Sequence, residues 1–464
     1  MCLGGSTVVG RVWLFRRSLL LIALGGLALR VTYVLALRRG EPLANDAFFF
    51  TNGANLFAEG HGFIQPHAAI GSLIEGREMV EEAAADHPPL YVLWLSIASV
   101  VDPRYGTSPT VHMLWTCVLG AGTVLLCGLI GRRLAGPRTG LIAAAIAAIY
   151  PNLWLHDGML MSEPMAIFTV CLVLWSAYRF WDDPTFGRVA WLGASCGLAA
   201  LARSEFLLAI PVLVLPLVVM RLRTWPERAR WLALGSATAL AAIAPWVAYN
   251  STRFEEPVYM STNLGVTLAA ANCDSTYYGD RIGYKDWACA IAAHESLQAR
   301  VDNWTELDAS QRDEYLRPEV TRYIRDHEKR VPLVVAARMA RILKLYGVGQ
   351  ELDLDHRVHR HEQWVVYAGL VSWYLLAGMA VAGGVVLRRR RDVPIYPLVA
   401  VASIVLLAAA FTFAQTRYRA PAEPVVVLLA AVAADAWLRR RAARRASGHE
   451  SDSEPAPTPA PSPA

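Results

Sequence analysis

The sequence predicts an all-α polytopic membrane protein of about ten transmembrane helices with additional juxtamembrane surface helices. Composition is the first reason: 55% of the 464 residues are hydrophobic and 18% are charged, against roughly 45–50% and 25% in ordinary soluble domains. The second is that the excess sits in acid-free blocks such as 18–37, 112–130, 364–387 and 395–413, each about the length needed to cross a hydrocarbon core. The third is the placement of arginine. Arg11, Arg16 and Arg17 precede the first block, and GRRLAGPR (131–138), RLRTWPERAR (221–230), RRRR (388–391) and RRRAARR (439–445) recur between or after later ones. Such clusters set topology, so the net charge of +5 gives no reason to expect nucleic acid as a partner.

With every basic cluster cytoplasmic, the chain alternates through 18–37, 110–130, 139–153, 165–180, 187–201, 205–220, 231–249, 364–387, 395–413 and 421–438. The apolar run 90–101 has 12 residues, too few to span, and is expected to be a juxtamembrane helix. Residues 1–17 form a cytoplasmic N-terminus, and no small-residue cleavage site follows 18–37, which is expected to stay as a span. Cys2 has no lipid-attachment context. An N-terminal transmembrane module, 18–249, includes an external loop at 38–109. A second external loop covers 250–363, C-terminal spans cover 364–438, and the tail 439–464 is basic and then Pro-, Ser- and acid-rich, expected to be disordered. Both termini are expected in the cytoplasm of a multi-pass cell-membrane protein.

Loops this long are usually functional or disordered, and these carry too much pattern for disorder. In NDAFFFTNGANLFAEGHG (45–62), Ala47, Phe50, Ala54 and Phe57 recur at helical spacing, predicting an interfacial helix that ends at GHG. In the second loop DEYLRPEVTRYIRDHEKR (313–330) is amphipathic. After it, Arg338, Arg341 and Lys344 share one helix face, as expected of a surface helix anchored to lipid headgroups. Cys117, Cys127, Cys171 and Cys196 fall in spans as small apolar residues. Cys273 and Cys289 fall in the second loop and are candidates for a disulfide.

Ionisable residues at the outer ends of spans need partners. Asp46 starts the first-loop helix, where it serves as an N-cap or as a catalytic carboxylate, and the two are compatible. Asp157 and Glu163 sit in the turn LHDGMLMSEP. There Glu163 is either the acidic start of a helix with Pro164 in its first turn or a functional acid. Arg203 in LARSEF, and Arg417, Tyr418 and Arg419 in QTRYRAPAEP, lie on the side where few cations are expected. An anion held there accounts for them, and a lipid phosphate suits arginine's bidentate fork. His87, before Pro88 and Pro89, is the one loop histidine singled out. Transfer of a sugar from a phosphate needs cations at the leaving group and a base at the acceptor hydroxyl. Asp46 with Arg203, Arg417 and Arg419 supplies that minimum. No phosphate-loop or dinucleotide-binding pattern and no Cys/His metal spacing occurs.

An acid after the first span, then HPPLY (87–91), SEP, R-S-E and RYRAPAEP together resemble the GT-C superfamily of polyprenyl-phosphate-sugar glycosyltransferases. The order is most similar to the branch of protein O-mannosyltransferases and the lipid A aminoarabinose transferase. The resemblance implies an inverting membrane glycosyltransferase with Asp46 as general base and Glu163 as second acid. Arg203 and Arg417/Tyr418/Arg419 would face the carrier phosphate. A polyprenyl-phosphate-linked sugar is then the donor, and a lipid, glycan or protein outside the cytoplasm the acceptor. Some members use a divalent metal (Mg, Mn or Zn), which Asp46 and Glu163 would hold. The sequence departs from many relatives in having Asn45 rather than an acid beside Asp46. The alternative is a transporter or lipid flippase, which usually carries internal repeats that are not seen here.

Overall fold

The computed structural model describes residues 5–43, 46–101, 108–390 and 392–451. Cys2, Asn45, Arg391 and the tail beyond 451 lie outside the described residues. Within them every element is a helix, apart from one isolated antiparallel bridge between Ile64 and Ala83.

Among the described residues, seven helices are long and apolar enough to cross a membrane: Val12–Arg38, Pro109–Ala135, Glu163–Asp182, Ser204–Arg221, Trp225–Asn250, Gln363–Arg389 and Thr416–Arg445. An eighth is the pair Pro137–Ile149 and Pro151–Gly158, bent by 65°. The expected ten is therefore not reached by length. Two expected spans form the shorter helices Phe186–Ala202, 17 residues, and Tyr396–Phe411, 16 residues. Each stops early because the chain becomes irregular where polar residues must face inward, at Arg203 and at 412–415.

Local chemistry explains the breaks. Tyr150 is extended ahead of Pro151, a residue pair that disfavours a continuous helix, so the span turns there and leads to Asp157. Close packing relies on small residues, as is usual between membrane helices. The backbone of Gly235 leaves no room for a Cβ on Gly193, and that of Leu429 leaves none on Gly383. Gly120 likewise makes space for a buried ion pair: Arg30 of the first span meets Asp157 at 2.8 Å, both almost fully enclosed. Arg30 also donates to the carbonyls of Ala147 and Ala148.

Two expectations about surface helices are corrected. The helix Asp46–Ala58 does not lie with its apolar face in lipid. Ala47, Phe50 and Ala54 are buried against Tyr91, Val92 and Leu95 of the helix Leu90–Val101. The basic face of the helix Val331–Ile342 is not a headgroup anchor either. Arg338 and Arg341 are buried, donating to the carbonyls of Ala271 and Ala410 and of Ile282 and Asp280. Lys344, just beyond, is buried beside Asp355 at 3.6 Å. The acceptors of Arg338 and Arg341 are carbonyls at the C-terminal ends of two helices, Ala271 and Ala410, and of the turn at Asp280 and Ile282, which their own helices leave open to outside donors. Cys273 and Cys289 are disulfide-bonded, whereas Cys117, Cys127, Cys171 and Cys196 are free and buried.

Candidate active site

Asp46, His87, Glu163, Arg203, Arg417 and Tyr418 line a single cavity of about 550 Å³. They come from five separate stretches of chain. Asp46 opens the helix Asp46–Ala58, and His87 precedes the helix Leu90–Val101. Glu163 opens the helix Glu163–Asp182. Arg203 is the extended residue that ends Phe186–Ala202, and Arg417 and Tyr418 lie in the short 3-10 helix Thr416–Ala422.

Arg417 is the hub. Its two terminal nitrogens donate to the same oxygen of Asp46, each at 2.9 Å, and Nη1 lies 3.8 Å from Glu163 Oε1. The same Glu163 oxygen is 3.4 Å from Arg203 Nη1, while Arg203 Nε bonds Glu205 at 2.6 Å. The Tyr418 ring lies between the two cations, 4.5 Å from the Arg203 guanidinium and 5.1 Å from that of Arg417. Phe413 packs edge-on against Tyr418 and holds that ring in place. Glu163 is buried, and its Oε2 has no hydrogen-bond partner among the described residues. A buried carboxylate oxygen left open in this way is a ready acceptor for a ligand hydroxyl.

Burial alone would raise the Asp46 carboxyl, but the charges of Arg417 first and His87 next hold it well below the usual carboxylate range. Among the described residues, its oxygens accept from Arg417 and not from the N–H groups of its own helix. His87 is wedged between the rings of Phe49 and Phe50, at 5.1 and 4.9 Å. Its place beside Asp46 is therefore fixed by packing.

Arg419 does not join the site. It bonds Glu423 at 2.7 Å and the carbonyl of Ile342 at 2.9 Å, and its guanidinium lies on the Trp373 ring. Glu423 in turn accepts from Tyr150, giving a buried brace behind the site. Glu351 anchors the strand-like approach to Arg417, accepting from Thr416 N at 3.0 Å and Thr416 Oγ1 at 2.9 Å.

Glu205 and Lys285 belong to the electrostatic environment and were not singled out in the sequence. Burial, followed by the charge of Arg417, lowers the Lys285 ammonium to about 7. The only sequence signal for Lys285 is rarity, since the chain has three lysines, at 285, 329 and 344.

Asp46 and Glu163, the two acids that a divalent metal would draw on, both face Arg417. The Arg417 guanidinium lies 2.9 Å from the Asp46 carboxylate and 3.8 Å from that of Glu163. Among the described residues, no group of three or more His, Cys, Asp or Glu is placed to hold a metal.

Residues 86–249 match the family model described as dolichyl-phosphate-mannose-protein mannosyltransferase. Among solved structures, the archaeal oligosaccharyltransferase AglB from Archaeoglobus fulgidus, in complex with an inhibitory peptide and a dolichol-phosphate, superposes with a TM-score of 0.55 at 14% identity. The match covers 95% of this chain and 52% of that one. The fold is GT-C-like. A second structure of the Archaeoglobus fulgidus enzyme, with Zn and sulfate, gives 0.51 at 14% identity over 91% of this chain and 49% of that one. The chain thus spans about half the length of the archaeal enzymes it matches. ArnT from Cupriavidus metallidurans, bound to undecaprenyl phosphate, reaches a TM-score of 0.41 at 16% identity over 91% and 77% of the two chains, too loose a superposition to build on. A comparison with curated proteins gives no match.

Proposed function

We propose that the protein is a membrane glycosyltransferase that moves a sugar from a polyprenyl phosphate to an acceptor hydroxyl, with inversion at the anomeric carbon. The observation that carries this is one carboxylate, Asp46, held by Arg417 beside a second arginine, Arg203, at the polar end of a cavity whose other wall is apolar. Leu207, Leu208, Leu407 and Phe411 form that wall and are exposed, as a prenyl chain arriving from lipid requires. The mannosyltransferase family match over 86–249 and the dolichol-phosphate in the archaeal neighbour support the same donor class.

The chemistry follows from the charges. The acceptor oxygen attacks the anomeric carbon and loses its proton to Asp46, while the C1–O bond to phosphate breaks and its electron pair stays on the phosphate. Arg203 and Arg417 offset that growing charge, which costs no reorganisation because their positions are fixed. While paired with Arg417, Asp46 is a weak base. A donor phosphate competes for the same guanidinium, so donor binding raises the basicity of Asp46 just when it is needed. Glu163 Oε2 is left to accept a sugar hydroxyl.

The acceptor end opens beside Ser261, Asn263 and Arg317, on the side that bears both long loops. We place that side outside the cytoplasm. The test is direct: purified protein in nanodiscs with a polyprenyl-phosphate sugar and candidate acceptors, with Arg203→Ala and Arg417→Gln as variants. Weaker donor binding by both variants is expected; unchanged affinity in both overturns the reading.

A further inference from the structure

We infer that Lys285 is a third phosphate-binding cation, carried on a disulfide-closed loop and kept free of carboxylate partners until the donor arrives. This deepens the preceding reading and rests on it.

The site is short of positive charge without it. Arg203 and Arg417 face Asp46, Glu163 and Glu205, so both arginines are already committed to carboxylates. Bringing in a phosphate, and then leaving a further charge on it when the sugar departs, calls for an uncommitted cation. Lys285 is one. It has no hydrogen-bond or ion-pair partner among the described residues, and its ammonium lies 4.9 Å from the Trp287 ring and 5.3 Å from the Phe413 ring. Phe413 is itself a wall of the cavity and the ring that steadies Tyr418. The charged groups that act on Lys285 are Arg417, Asp46, Glu351 and Glu163, the same groups that form or support the site.

The backbone beneath it is fixed. The Cys273–Cys289 disulfide closes the loop, Gly283 N donates to Thr276 O, and Gly283 O accepts from Ala414 N at 3.4 Å. Gly283 has φ +74° and packs so close to the backbone of Arg338 that any Cβ would collide with it, which seats the loop on the buried basic helix. Asp286 accepts from Ser275 at 2.8 Å and pairs with Arg281 at 3.0 Å, so the neighbouring acid is already taken and leaves Lys285 alone. A lysine stem can swing from the rings to a phosphate, and its ammonium is a compact point charge. In the empty site, aromatic faces hold the cation at modest strength.

The experiment uses the full-length protein in detergent, with farnesyl phosphate and uncharged farnesol as probes and melting temperature as the check on folding. Lys285→Met should weaken farnesyl phosphate about tenfold or more, as expected for loss of one charge-assisted contact. Farnesol binding should be unchanged, and Lys285→Arg should restore most of the phosphate affinity. If Lys285→Met and Lys285→Gln both bind farnesyl phosphate like wild type while Arg417→Gln does not, Lys285 has no such role and the phosphate site stands. If Arg203→Ala and Arg417→Gln also bind it normally, the phosphate site itself is wrong and this inference falls with it.

Discussion

Asp46 gives one oxygen to both terminal nitrogens of Arg417, which makes its charge and its basicity opposing properties of a single contact. Asp46→Asn keeps the size and removes the base. Transfer should fall by at least about a hundredfold, the lower range for a lost general base. Donor affinity should hold or improve, because Arg417 is released. A drop in affinity with kcat intact would place Asp46 in binding instead. The pH dependence follows from the same pair. In the donor-free enzyme Arg417 holds the Asp46 carboxyl low, so the wild-type acid limb of kcat/KM should lie below the ordinary carboxylate range. Arg417→Gln removes that cation, and the acid limb of the residual transfer should move upward, with activity lost at a higher pH than in wild type. Coincident limbs in the two kcat/KM–pH profiles would exclude Asp46 as the group that titrates.

Among the elements, what the sequence made legible was what hydropathy and residue order can carry. The apolar blocks mark the long spans, and the order Asp46, His87, Glu163, Arg203, Arg417 anticipates residues that the structure brings to one cavity. Side-chain direction was not legible. Arg338, Arg341 and Lys344 recur at helical spacing whether they face headgroups or buried carbonyls, and only the segments packed over them decide which. Arg417 and Arg419 are two residues apart in a tight 3-10 turn, which sends one to the cavity and the other to Glu423. Lys285 had no periodicity to announce it. The inward reading of the basic helix has its own test. Arg338→Gln takes its arginine donor from the carbonyl of Ala410, at about 1–3 kcal/mol for a buried group left unsatisfied, and one of two side-chain donors from that of Ala271, which keeps Thr276 Oγ1. A clear fall in melting temperature is expected, insensitive to anionic lipid. A variant as stable as wild type but with weaker binding to anionic vesicles would restore the headgroup anchor.

At the scale of the whole molecule, helices from distant parts of the chain are held by buried ion pairs as well as by close packing. Arg30 and Asp157 join the first span to the bent one deep in the bundle. Asp157→Asn removes one charge and strands the other, a change of about 3–5 kcal/mol. The variant should accumulate poorly in membranes. Normal abundance and an unchanged melting temperature would show that the pair is dispensable. Sidedness is tested by single cysteines placed in the two long loops of a variant lacking the free thiols. Labelling of both loops by a membrane-impermeant reagent in intact cells is expected. Protection of both would invert the proposed topology.

One wall of the cavity is built from Tyr396–Phe411, a helix of 16 residues and so about 24 Å long, shorter than the roughly 30 Å of a hydrocarbon core. In addition to the polar opening beside Ser261, Asn263 and Arg317, its exposed Leu407 and Phe411, with Leu207 and Leu208, give the site an apolar one at the side. A substrate admitted by that route is met in two dimensions. The rate should then follow the donor's mole fraction in the bilayer and fall when inert lipid is added at constant total donor, while the acceptor, arriving from the aqueous side, keeps an ordinary dependence on bulk concentration.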